Sequence, residues 1–171
     1  AYTATTSTPK PSPDTKTNAV TTSKSTIYGN ALILELKGDS GKNATFNING
    51  GNNTIKTLTL SGNSNNILNA NGGNTTISNA LTLDSSKTLN LGIGNGNLTL
   101  TAHLTAGNSS DGTANINFTG HGTLTSNLAT GSSNQGTLNI TVIGGDGTLA
   151  DKLYDTNTSE TPGKLNSTRQ T

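Results

Sequence analysis

Few residues in this 171-residue chain could do chemistry, and they are scattered. Ser40 stands in Gly38-Asp39-Ser40-Gly41, where its hydroxyl could act as a nucleophile beside a histidine base and an orienting aspartate. No histidine precedes His103, and Lys42 and Asn43 follow the tetrapeptide. Without those partners the stretch reads as a turn. His103 and His121 are the only histidines, 18 residues apart, with no carboxylate pair or thiol nearby. A metal site would need three or four ligands. Gly144-Gly145-Asp146-Gly147 carries a single copy of a glycine-aspartate pattern that binds calcium when repeated, and one copy reads as a turn. Acid/base work on a glycan needs clustered carboxylates. Residues 88–145 hold one, Asp111, with no Lys or Arg. The sequence therefore assigns no catalytic, metal or cofactor-binding residue, implies no cofactor, and is expected to be non-enzymatic.

Bulk properties narrow the classes further. The net charge is +1 and the only arginine is Arg169. No basic patch is available to neutralise phosphates, so nucleic acid is not an expected partner. Cysteine is absent, which removes disulfide frameworks and thiolate metal sites. The apolar run Ala31-Leu32-Ile33-Leu34 ends at Glu35, far short of the roughly 20 residues that span a bilayer as a helix. There is no initiator Met and no signal-peptide pattern, so a mature segment or a piece of a longer chain is expected.

Anything these residues do must be positioned by a repeat. Leu58, Leu81, Leu104, Leu128 and Leu153 recur in steps of 23, 23, 24 and 25. Ile55, Ile77, Leu100, Leu124 and Leu149 step by 22, 23, 24 and 25, and Ile48, Ala70, Leu91, Ile116 and Ile140 by 22, 21, 25 and 24. Such a period marks a repeat architecture. Within each period short pairs such as Leu58/Leu60 and Ile116/Phe118 alternate with polar residues, the period of a strand. Asn49-Gly50-Gly51-Asn52 and its copy Asn71-Gly72-Gly73-Asn74 supply turns. Hairpins would make alternate strands alike, whereas the similarity here runs through three strands and their turns. The spacing predicts an all-β fold, a right-handed parallel β-helix of about five coils of 21–25 residues over 27–154. Thr/Ser/Pro-rich residues 1–26 and residues 155–171 read as tails or linkers. A thin coil needs few core residues, which suits a chain with 28% hydrophobic and 11% charged residues.

Two surface patterns have readings of their own. Thr57/Thr59, Thr99/Thr101 and Thr123/Thr125 form Thr-x-Thr pairs of the kind that ice-binding solenoids array, but Ala80 and Thr82 stand where the second coil's pair belongs. The same alternation arises in any half-buried strand. Nine N-x-[S/T] sequons begin at Asn43, Asn52, Asn74, Asn97, Asn108, Asn117, Asn139, Asn157 and Asn166. A chain this rich in Asn, Thr and Ser contains several by composition alone.

The units NATFNINGGNNTIKTLTLSG and INFTGHGTLTSNL, in a cysteine-free Thr/Asn/Gly-rich repeat, resemble passenger domains of bacterial autotransporters over about residues 30–154. Vacuolating-cytotoxin-like and rickettsial outer-membrane surface proteins are the nearest in kind. Phe46-x-x-Asn49 beside Gly50-Gly51 is similar to a motif of chlamydial polymorphic outer-membrane proteins. The resemblance implies a secreted or outer-membrane-anchored location at the bacterial surface and a parent chain carrying a C-terminal β-barrel. It further implies a virulence-related adhesin with a host surface protein or glycan as partner, and carries over no catalytic residue. The expected function is a structural spacer and adhesive rod. An ice-binding β-solenoid is the alternative, and a glycan-active β-helix enzyme comes third.

Overall fold

The chain runs straight where Leu or Ile alternates with Thr or Asn, and it turns where Gly and Asn cluster. The computed structural model describes residues 17–22, 33–38, 40–62, 65–130, 136–143, 145, 147–150, 153–155 and 164–170. Asp39, Gly144 and Asp146 of the two candidate motifs lie outside them, as do residues 28–32 of the first strand expected from the pattern.

The strands begin with β1 (Thr17–Thr22) and β2 (Ile33–Gly38). A first coil follows as β3 (Asn43–Ile48), β4 (Asn52–Ile55) and β5 (Thr57–Gly62). The second is β6 (Asn65–Ala70), β7 (Asn74–Ile77) and β8 (Leu81–Leu83), and the third β9 (Lys87–Ile93), β10 (Asn97–Leu100) and β11 (Leu104–Ala106). Next come β12 (Gly112–Phe118), β13 (Thr123–Thr125) and β14 (Leu128–Thr130). The series ends with β15 (Gly136–Ile143), β16 (Thr148–Ala150), β17 (Leu153–Asp155) and β18 (Lys164–Gln170). Among the described residues there is no helix, so none is long and apolar enough to cross a membrane.

Every third strand pairs in parallel with its counterpart one coil away. One sheet is ordered β1-β3-β6-β9-β12-β15-β18 and a second β16-β13-β10-β7-β4. The third face is divided into β2-β5 and β17-β14-β11-β8. The protein is a parallel β-solenoid of about four turns. Strand pairing also enters both stretches whose composition reads as tails, through β1 on β3 and β18 on β15.

In β12 alternate residues point inward: Gly112, Ala114, Ile116 and Phe118 are buried, and Thr113, Asn115 and Asn117 are half-buried. The core includes Phe46, Leu68, Leu89, Leu91, Leu104, Ile116 and Phe118, all essentially inaccessible. The three rows read from spacing survive with corrections. Leu81, Leu104, Leu128 and Leu153 are paired in register, but Leu58 pairs with Leu34 and not with Leu81. Leu36 accordingly meets Leu60 instead of Leu58. Ala70 pairs with Ile93 rather than Leu91, and Leu124 with Leu98 rather than Leu100. Leu58 and Leu81 lie in separate sheets, whereas the other register errors are two residues each. Side chains repeat every two residues along a strand, so a slip of one would turn the whole apolar set to solvent, whereas a slip of two exchanges one inward residue for the next.

The stacked Asn-Gly-Gly-Asn turns show why glycine is needed. The Asn71 N–H donates to the Ile48 carbonyl at 2.8 Å and that of Asn74 to the Gly51 carbonyl at 2.8 Å. Gly51 and Gly73 have φ of +83° and +73°. A Cβ at Gly73 would collide with the Gly51 carbonyl below, so the close approach and the left-handed backbone both exclude a side chain.

Candidate functional site

The residues with chemical potential are not brought together. Ser40 is exposed in a turn beside Gly41, whose φ is +79°. His103 and His121 are exposed, and their backbones serve the coil-to-coil bonding. The His103 carbonyl accepts from the Leu81 N–H at 3.0 Å, and the His121 N–H donates to Asn95 Oδ1 at 3.1 Å. Among the described residues no three His, Asp or Glu side chains group as metal ligands would.

What the fold does assemble is a set of amide ladders. On the first sheet Asn65 Nδ2 donates to Asn43 Oδ1 at 3.3 Å, Asn90 to Asn65 at 2.7 Å, Asn115 to Asn90 at 2.9 Å and Asn139 to Asn115 at 2.7 Å. Shorter ladders join Asn69 to Asn47 at 2.8 Å and Asn71 to Asn49 at 3.0 Å. Another runs Asn97 to Asn74 to Asn52, at 2.9 and 3.2 Å. In all of them the later coil donates to the earlier one. Parallel stacking places like residues above one another and permits this; only the Asn90–Asn65 link is diagonal, since Asn90 is the register partner of Ile67. The signal was present in sequence as Asn recurring at 43, 65, 90, 115 and 139, but it was hidden among turn and sequon readings.

The second sheet turns a different array outward. Thr54, Thr76, Thr99 and Thr125 are register partners in β4, β7, β10 and β13. Beside them run Asn52, Asn74, Asn97, Thr123 and Thr148. Strand spacing makes this a grid of about 4.8 Å by about 6.6 Å. The threonine pairs chosen by spacing were not equivalent: Thr57 and Thr59 lie in β5 on another face, and Thr101 lies beyond the end of β10. With the coils in their true register the threonine row is unbroken over four strands.

Asp84 makes one further contact between coils. Its Oδ1 accepts from the backbone N–H groups of Asn108, Ser109 and Ser110 at 2.6, 2.8 and 3.2 Å. Burial pushes the carboxyl pKa up, but the three N–H donors outweigh it and hold the pKa below its ordinary value. The next residues, Ser85 and Ser86, have φ of 56° and 60°.

Compared with family models, curated proteins and solved structures, the chain matches none.

Proposed function

We propose that this chain is a non-enzymatic rod of the bacterial surface or of secreted material, a spacer whose outer sheet faces make adhesive contacts. The observation that carries the reading is the pair of faces that are uncharged among the described residues, in which rows of exposed and half-exposed Asn are joined by hydrogen bonds from coil to coil. Rigid polar groups lose little conformational freedom on contact with a partner. The surface location, and a C-terminal β-barrel in the parent chain, rest on the resemblance to autotransporter passengers. Beads coated with the chain, applied to cultured host cells and to matrix protein films, provide the test. Saturable adhesion that soluble chain competes away is expected. Adhesion no greater than that of beads coated with an unrelated β-solenoid would overturn the reading.

The threonine row favours a second reading, ice binding. A flat, uncharged grid of methyl and hydroxyl groups along Thr54, Thr76, Thr99 and Thr125 is the kind of surface that can order water into a lattice. Thermal hysteresis in dilute solution is expected on this reading, and its loss on Thr76→Lys or Thr99→Lys. No hysteresis at any concentration would dispose of it.

A further inference from the structure

On the outer face of the first sheet one layer of side chains is missing. The register column Asn47, Asn69, Gly92, Asn117 has no side chain at its third place. Just beyond the end of β9, Gly94 leaves a second gap; its N–H donates to the Ala70 carbonyl at 3.0 Å, which sets it beside Asn71. The result is a depression of about 440 Å³. Asn69 and Asn71 border it on one side and Asn117 and Thr119 on the other, with Ile67 and the exposed Ile143 adding apolar surface.

The amides around the gap are oriented by the ladders. Asn69 Nδ2 is committed to Asn47 at 2.8 Å and Asn71 Nδ2 to Asn49 at 3.0 Å, so both amide oxygens are left for the side of the third coil. Asn69 Oδ1 leans over Gly92, so that a Cβ built there would collide with it. Elsewhere in the ladders that oxygen would accept from the next asparagine; here no described residue donates to it. The rows flanking the gap stand two strand spacings apart, about 9.6 Å, which leaves room for one flat ring between them. Among the described residues, none lining the depression carries a charge.

We infer that the Gly92 gap is a binding slot for a neutral sugar ring. Its hydroxyl groups would donate to Asn69 Oδ1 and Asn71 Oδ1 and exchange hydrogen bonds with the Asn117 amide. Absence of a cation at the slot argues against an acidic sugar, whose carboxylate would lose water with no compensating partner. The inference rests on the adhesive reading above and names its ligand class.

The test uses the full chain and beads carrying mannose, galactose or N-acetylglucosamine, with sialic acid beads as the charged comparison. Multivalent display compensates for a weak single site. The chain is expected to bind at least one neutral sugar and to prefer it to sialic acid. Gly92→Asn puts a Cβ where Asn69 Oδ1 now leans, so it displaces that amide and fills the gap; a melting curve checks that the variant is folded, and sugar binding should fall about tenfold, the effect of losing one good hydrogen bond. Asn69→Ala should weaken binding as well. Binding to none of the neutral beads, preference for sialic acid, or equal binding by folded Gly92→Asn overturns the slot. Cell adhesion retained by wild type and Gly92→Asn alike would sink the slot and leave the adhesive reading standing. Sugar binding without cell adhesion would do the reverse.

Discussion

Asp84 joins two turns through three consecutive backbone N–H groups, those of Asn108, Ser109 and Ser110. A carboxyl whose pKa is depressed by folding stabilises the protein above its unfolded pKa, and that contribution is lost as pH falls through the folded value. Asp84→Ala should cost about 1 kcal/mol at neutral pH, as loss of a helix cap does, solvent screening at this half-exposed site keeping the figure no larger. In urea melts, the gap between wild type and variant should close in acid, below the ordinary carboxylate range. A gap unchanged at low pH would mean that the carboxylate is not the active group. Inside the coil, Asn53 is buried and donates to the Gly50 carbonyl and Thr75 Oγ1, both at 3.1 Å, while its Oδ1 lacks a partner. Thr75→Val would strand one of its N–H groups and should cost about 1–3 kcal/mol. The double variant Asn53→Val/Thr75→Val should recover only part of that loss: the Asn53–Thr75 pair leaves together and Leu98 and Leu124 already continue the column with apolar residues, but the Gly50 carbonyl loses its donor. Urea midpoints for the three proteins check this.

At the scale of the strand, parity decides what is tolerated. The repeat varies from 21 to 25 residues because turns absorb length, while inward and outward alternation persists from β3 to β15. One residue inserted between Ile116 and Asn117 in β12 would turn Phe118 outward and should cost at least about 3 kcal/mol. The same insertion between Ala102 and His103, in a turn, should cost under about 1 kcal/mol. Melting temperatures of the two insertants distinguish the cases, and equal losses would contradict the parity argument. Spacing alone could not choose between registers two residues apart. Leu89, Leu91 and Ile93 all face the core with near-zero exposure, so each is an acceptable partner for Ala70 by composition. The pairing of Ala70 with Ile93 follows from how the whole of β9 lies on β6.

At the scale of the molecule, a solenoid coil packs chiefly on the coils next to it, and stability is close to a sum over neighbours. Leu104 is fully buried and paired with Leu81 and Leu128. Leu104→Ala should cost about 2–5 kcal/mol. It should speed amide hydrogen exchange in β8, β11 and β14 while β3 and β4 keep their protection. Uniform loss along the chain would mean a single cooperative unit. The all-β coil and its three strands per period were legible in sequence, because alternation and recurrence are local properties of the chain. The functional surfaces were not. Whether Asn90 meets Asn65, or Thr76 meets Thr54, depends on the lengths of the turns between them and on a register that one-dimensional spacing leaves ambiguous by two residues. The amide ladders, the unbroken threonine row and the Gly92 gap exist only once the coils are stacked, since hydrogen bonds between coils choose among registers that hydrophobic burial treats as equivalent.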